Sequence, residues 1–155
     1  MKIIPAIDLQ EGKCVRLYKG DFDRVTHYSD KPLDIARTYA AMNVDDLHIV
    51  DLDGARTGSQ QNARVVGGLC AETPLSVQLG GGIRQGDQVR QWLDNGVARC
   101  VIGSVAVTEP ERVATCRRLV SAIRPARLRV LVVPDRWRPG RAPVEQRPPP
   151  VGEVA

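Results

Sequence analysis

Three carboxylates and two glycine-bearing turns are the residues of this chain best suited to chemistry. Asp8 closes the apolar run Lys2–Leu9, and Asp51 and Asp53 close the run that begins at Leu47. Gly80-Gly81-Gly82-Ile83-Arg84 follows the stretch LSVQL, and Gly103-Ser104 follows RCVI. A carboxylate fixed at a strand end can give or take a proton. Glycines let backbone N–H groups come close to an anion, and the N-terminus of a following helix adds a favourable dipole. Arg84 would contribute a charge-assisted hydrogen bond and Ser104 a hydroxyl. Two such turns on neighbouring strands suit one phosphate group. Each feature also has a plainer reading. A strand-end Asp is often only a helix cap or a turn former, and a triple glycine is often only a turn. Arg16 and Lys19 follow the first strand and either hold a second anionic group or lie in solvent. His48, inside the second apolar run, reads as a packed histidine, and Trp92 as core.

The elements that would position these residues alternate along the chain. Short apolar runs at Lys2–Leu9, Leu47–Leu52, Leu75–Leu79 and Arg99–Ile102 read as buried strands. Lys13–Tyr18 alternates and reads as a small strand, whereas Gly20–Asp30 is polar and reads as a loop. Helical periods run over Pro32–Met42, Asn62–Ala71, Asp87–Asn95 and Pro110–Ile123. Asp30 is the expected cap of the first helix and Gly96 the glycine stop of the third. Leu128–Val133 has the composition of a fifth strand. Strands alternating with helices predict a parallel sheet with crossover helices. Periodicity alone does not choose between a doubly wound sheet and a barrel. In such folds the reactive residues gather at the C-terminal ends of the strands, which is where these aspartates and glycines fall.

Composition narrows the function classes. The chain has 155 residues and a net charge of +4. That length suits one domain but is short of the roughly 250 residues of a complete (β/α)8 barrel. The stretch from Arg124 onward holds seven arginines against three carboxylates, which accounts for the whole net charge and leaves residues 1–123 neutral. A basic nucleic-acid binder is therefore disfavoured for the globular part. Cys14, Cys70, Cys100 and Cys116 form no C-x-x-C pair, and His27 and His48 are the only histidines, so no zinc spacing is present. Scattered cysteines read as buried thiols of a reducing, cytoplasmic compartment. No apolar run approaches the ~20 residues of a membrane helix. Seven of the eleven prolines also lie beyond Arg124, and that segment is expected to stay disordered.

Five stretches together resemble a known family. Ile3–Leu9 (IPAIDL at its core), Gly12–Leu17 (GKCVRL), Leu47–Ala55 (LHIVDLDGA), Gln78–Arg84 (QLGGGIR) and Val101–Val107 (VIGSVAV) look like the phosphoribosylformimino-aminoimidazole carboxamide ribotide isomerases of histidine biosynthesis. The resemblance runs from Met1 to about Arg118. The related cyclase subunit of imidazole glycerol phosphate synthase shares the architecture, but the Ala-Ile-Asp-Leu opening and the Val-Arg-Leu stretch look more like the isomerase.

The resemblance implies the N-terminal half of a (β/α)8 barrel over residues 1–123, with a divergent tail over 124–155. It implies an Amadori rearrangement of an aminoaldose to an aminoketose on a phosphorylated ribosyl substrate, with no cofactor and no metal. Asp8 matches the general base, and Gly81, Gly82, Gly103 and Ser104 match a phosphate site. Arg16, Asp51 and Arg84 match positions near the substrate. The second carboxylate of the family ends the fifth strand. Asp135 is the candidate here, although Pro134 ahead of it departs from the pattern, and a second phosphate site has no counterpart. Neither nucleic acid nor membrane is an expected partner. Two accounts of the tail stand: an out-of-frame reading beyond about Arg118, or a half-barrel that covers its open edges by pairing with a second copy. Outside the isomerase, the chain also reads as a non-catalytic phosphate-binding half-barrel.

Overall fold

The computed structural model describes residues 3–123 and 131–132. The first strand, β1 (Ala6–Gln10), turns through Glu11-Gly12 into β2 (Lys13–Tyr18), and β2 pairs antiparallel with β3 (Asp21–Ser29). The segment read as a polar loop is therefore a nine-residue strand. It gave no strand signal because both of its faces are largely exposed, so nothing in it alternates. Helix α1 (Pro32–Ala41) follows, with Lys31 rather than Asp30 at its N-cap. Asp30 instead pairs with Lys13 at 3.0 Å.

The chain continues as β4 (Asp46–Asp51), α2 (Leu52–Thr57), α3 (Ala63–Glu72), β5 (Ser76–Gly80) and α4 (Gly86–Asp94). It then runs through β6 (Arg99–Ile102), α5 (Val105–Thr108), α6 (Pro110–Ile123) and β7 (Leu131–Val132). The sheet order is β3-β2-β1-β4-β5-β6-β7. Beyond the antiparallel β1–β2–β3 ribbon, β1, β4, β5, β6 and β7 lie side by side in chain order, and all these pairs are parallel. A doubly wound sheet reverses its order at a switch point, and this one does not. The fold is a partial (β/α) barrel of four βα units with the start of a fifth strand.

Strand residues alternate between two faces. Ile7, Leu9, Leu47, Ile49, Val77 and Leu79 point to one face and are almost fully buried. They share a core with Ala36 of α1, Val66 and Leu69 of α3, and Val89 and Trp92 of α4. Burying each such side chain contributes roughly 1.5–3 kcal/mol, so this face fixes the register. The opposite face carries Asp8, Gln10, His48, Gln78 and Arg99, all only partly buried. Among the described residues, no helix is long and apolar enough to cross a membrane.

Candidate functional site

Register places Asp8 beside Val50, and Val50 beside Gly80. These residues form one row across the second face, and the Gly81-Gly82 turn begins one residue above it. Leu79 pairs with Cys100, so Gly103 and Ser104 leave β6 at the same rim. Because β1, β4, β5 and β6 are parallel, Asp8 and both glycine turns share the C-terminal mouth of the sheet.

The Asp8 side chain is 19% exposed, and its Oδ2 lies 3.9 Å from the Arg16 guanidinium. Burial pushes its carboxyl above the ordinary 3.8, while Arg16 and His48 pull it back. A cleft of about 420 Å3 opens beside it between the β2–β3 hairpin and α1, lined by Asp8, Cys14, Arg16, Tyr28, Ile35 and Tyr39. Cys14, Cys100 and Cys116 are buried and all four thiols are unbridged. Burial lifts Cys14 and Cys70 to about 11 and Cys100 to about 12. Thiols so far above neutrality stay protonated and are not nucleophiles.

Asp51, expected beside a substrate, is fully buried. It caps α2: its Oδ1 accepts from Gly54 N at 2.9 Å and from Asn62 Nδ2 at 2.6 Å. Asn62 Nδ2 also donates to Asp53 Oδ2, and Asn62 Oδ1 accepts from Gly12 N at 2.9 Å. Asp53 Oδ2 in turn accepts from Glu11 N. This network ties the β1–β2 turn to the start of α2. Burial raises Asp51, and the N–H donors from Gly54 and Asn62 partly offset that. For Asp51 the plainer reading, a helix cap, describes its position. Asn62 is the residue that sequence reasoning passed over, since its partners lie up to fifty positions away.

Gly81 (φ +107) and Gly82 (φ +71) occupy the left-handed region. A Cβ on Gly81 would run into the Asp51 backbone, and one on Gly82 into the Gly54 carbonyl. The turn is thus wedged against the cap of α2 and is not a loose connection. Arg84 is exposed and donates to the Ala55 carbonyl at 3.3 Å. Gln88 Oε1 accepts from Arg84 N and Gln85 N, while Gln88 Nε2 donates to the Gly58 carbonyl at 2.8 Å. These contacts hold Arg84 at the edge of the rim. Gly103 and Ser104 are exposed, and a Cβ on Gly103 would meet nothing within 4 Å. Asp135 lies outside the described residues. His48 and Gln78, which the sequence gave no reason to connect, are hydrogen-bonded on the same face as Asp8.

Comparison with known proteins adds a second line of observation. The family model described as histidine biosynthesis protein matches residues 2–124. A protein of Lactococcus lactis is 52% identical over 112 residues, which is 72% of this chain and 47% of its own length. A protein of Chlorobium phaeovibrioides is 53% identical over 113 residues, 73% of this chain and 44% of its own. One of Chlorobium chlorochromatii is 47% identical over 128 residues, 83% and 49%. All three carry the name 1-(5-phosphoribosyl)-5-((5-phosphoribosylamino)methylideneamino) imidazole-4-carboxamide isomerase. The chain spans about half the length of the curated relatives it matches.

Proposed function

From the premise that this chain belongs to the histidine biosynthesis protein family, we propose that its rim is the Asp8 side of an aminoaldose–aminoketose isomerase site. The observation that carries this reading is the shared rim of Asp8, Gly81-Gly82 and Gly103-Ser104. The backbone N–H groups of both turns and the Ser104 hydroxyl would hold one phosphate of a phosphoribosyl substrate. Arg16 would steer the anionic substrate toward Asp8 and help keep that carboxylate ionised.

With the sugar ring opened and its C1 joined to nitrogen as a protonated imine, Asp8 would take the proton from C2. The C2–H electron pair forms the C1–C2 double bond, and the imine π electrons return to nitrogen. The resulting enaminol then gives up its C2 hydroxyl proton to solvent as a proton is added at C1, which leaves the ketone at C2. The ring-opening acid is assigned by resemblance to the end of the fifth strand, with Asp135 as candidate. Asp51 and Arg84 serve this reading as scaffold: Asp51 beneath the Gly81-Gly82 turn, Arg84 along its edge.

Incubating the purified chain with the bisphosphorylated aminoaldose and following the aminoketose by chromatography tests the reading. Turnover far below that of a complete barrel is expected, because only one of the two phosphate sites has a counterpart here, and Asp8→Asn should lower it further, by a factor on the order of 10² to 10⁴, with ribose 5-phosphate binding retained. Phosphate binding without any turnover by the wild-type chain would favour the non-catalytic alternative.

A further inference from the structure

No step of the proposed isomerisation uses His48, a histidine in the interior of the sheet's second face. His48 stands in β4 between Ala6 of β1 and Gln78 of β5. Asp8 is two residues beyond Ala6, on the same face and one step nearer the rim. The Gln78 amide nitrogen lies 3.1 Å from His48 Nδ1. An amide nitrogen has only protons to offer, so Nδ1 accepts and the single proton of the neutral ring sits on Nε2. The two ring nitrogens point in diverging directions. With Nδ1 engaged by β5, Nε2–H is the ring donor left unengaged on the face that carries Asp8.

Electrostatics agree with that placement. Burial holds His48 below its ordinary 6.5, so the ring is neutral at pH 7, and Asp8 and His48 each act on the other's ionisation. The remaining charged groups facing the pair come from three strands. Arg16 of β2 reaches Asp8 at 3.9 Å. Arg99 of β6 stands beside Gln78 in the same row and is ion-paired with Asp46 of β4, one step further from the rim on the same face.

We propose that His48 and Gln78 are positioning residues for Asp8: Gln78 fixes the His48 tautomer, and the Nε2–H so presented orients the Asp8 carboxylate and keeps it ionised for proton abstraction. A hydrogen bond offered to the charged form of an acid favours that form. The proposal rests on the reading of Asp8 as the base, and it accounts for a partly buried polar pair in a strand position where two apolar residues would pack without cost.

Nitrogen-15 NMR of the labelled full chain at neutral pH reads the tautomer directly, with no substitution. The expected result is a protonated Nε2 and an unprotonated Nδ1. Gln78→Leu should mix the two tautomers. Carbon-13 titration of the Asp8 carboxyl should show an upward shift of its midpoint in His48→Phe, largely reversed in His48→Gln, which regains an N–H. A proton found on Nδ1 in the wild-type chain overturns the proposal, as does an Asp8 midpoint unmoved in His48→Phe. Titrating ribose 5-phosphate into the same sample tests the functional reading separately. Silent amides at Gly81, Gly82, Gly103 and Ser104 would remove the substrate site, while the tautomer and the Asp8 midpoint would still be read.

Discussion

Asp8 and Asp51 are both carboxylates at strand ends, and burial raises both above the ordinary 3.8, yet they face opposite tasks. Asp51 spends one oxygen, Oδ1, on Gly54 and Asn62, whereas Asp8 stands 3.9 Å from the Arg16 guanidinium. A carboxyl whose pKa is raised by folding binds its proton more tightly folded than unfolded. Its stabilising contribution is full below 3.8 and is lost as the pH climbs through the raised value. At pH 7 the ionised Asp8 therefore costs stability. Asp8→Asn is expected to impair isomerisation and yet raise stability by about 1 kcal/mol, as relieved functional residues do. Urea melts across pH should show the gain at neutrality and its disappearance toward pH 4. Asn62→Ala should act in the other direction. It strips donors from Asp51 and Asp53 and leaves Gly12 N without its acceptor, at a cost of about 2–3 kcal/mol. A urea midpoint within error of wild type would contradict the network read here.

At the scale of elements, the two glycine turns look alike in sequence and differ in physics. Gly81 sits at φ +107 with its α-carbon against Asp51, while Gly103 faces open space. Gly81→Ala should therefore cost stability, about 1–3 kcal/mol for the backbone alone, and more for the displaced cap of α2. Gly103→Ala should leave the urea midpoint within about 0.5 kcal/mol. It should instead weaken ribose 5-phosphate binding roughly tenfold, the worth of one hydrogen bond to a charged group, as read by calorimetry. The helix Pro110–Ile123, opened by a proline at its first turn, was legible in the sequence to the residue. The β3 strand was not, because it buries neither face, and α2 was not, because its six residues depend on the Asp51 cap for their start. The rim itself was legible, since parallel strands put all their C-terminal ends together. What each rim residue touches was not, because partners such as Gly12 and Asn62 meet only after three elements have assembled.

Across the whole molecule, the second face of the sheet divides along the strand direction. Its C-terminal end holds Asp8 and the glycine turns, and its N-terminal end holds the ion pair of Asp46 with Arg99. Asp46 is 3% exposed and the Arg99 side chain 27%. In parallel βα folds chemistry gathers at the first end and stability at the second, and the placement of charge here follows that division. No local pattern in the sequence announced this pair: its members are fifty-three residues apart, and only the register of β4, β5 and β6 brings them onto one face. Breaking a buried pair from one side leaves a desolvated charge behind. Arg99→Leu is accordingly expected to lower stability by about 3 kcal/mol, the low end for such losses because Arg99 keeps some solvent. The rim should not notice. Ribose 5-phosphate affinity of the folded variant should match wild type, since Arg99 stands at the far end of the strands from Gly81 and Gly103. Urea melts and calorimetry on the same preparation read the two quantities independently. A variant that keeps its stability, or one that stays folded but loses phosphate affinity, would show that the two ends of the sheet are not separate in their work.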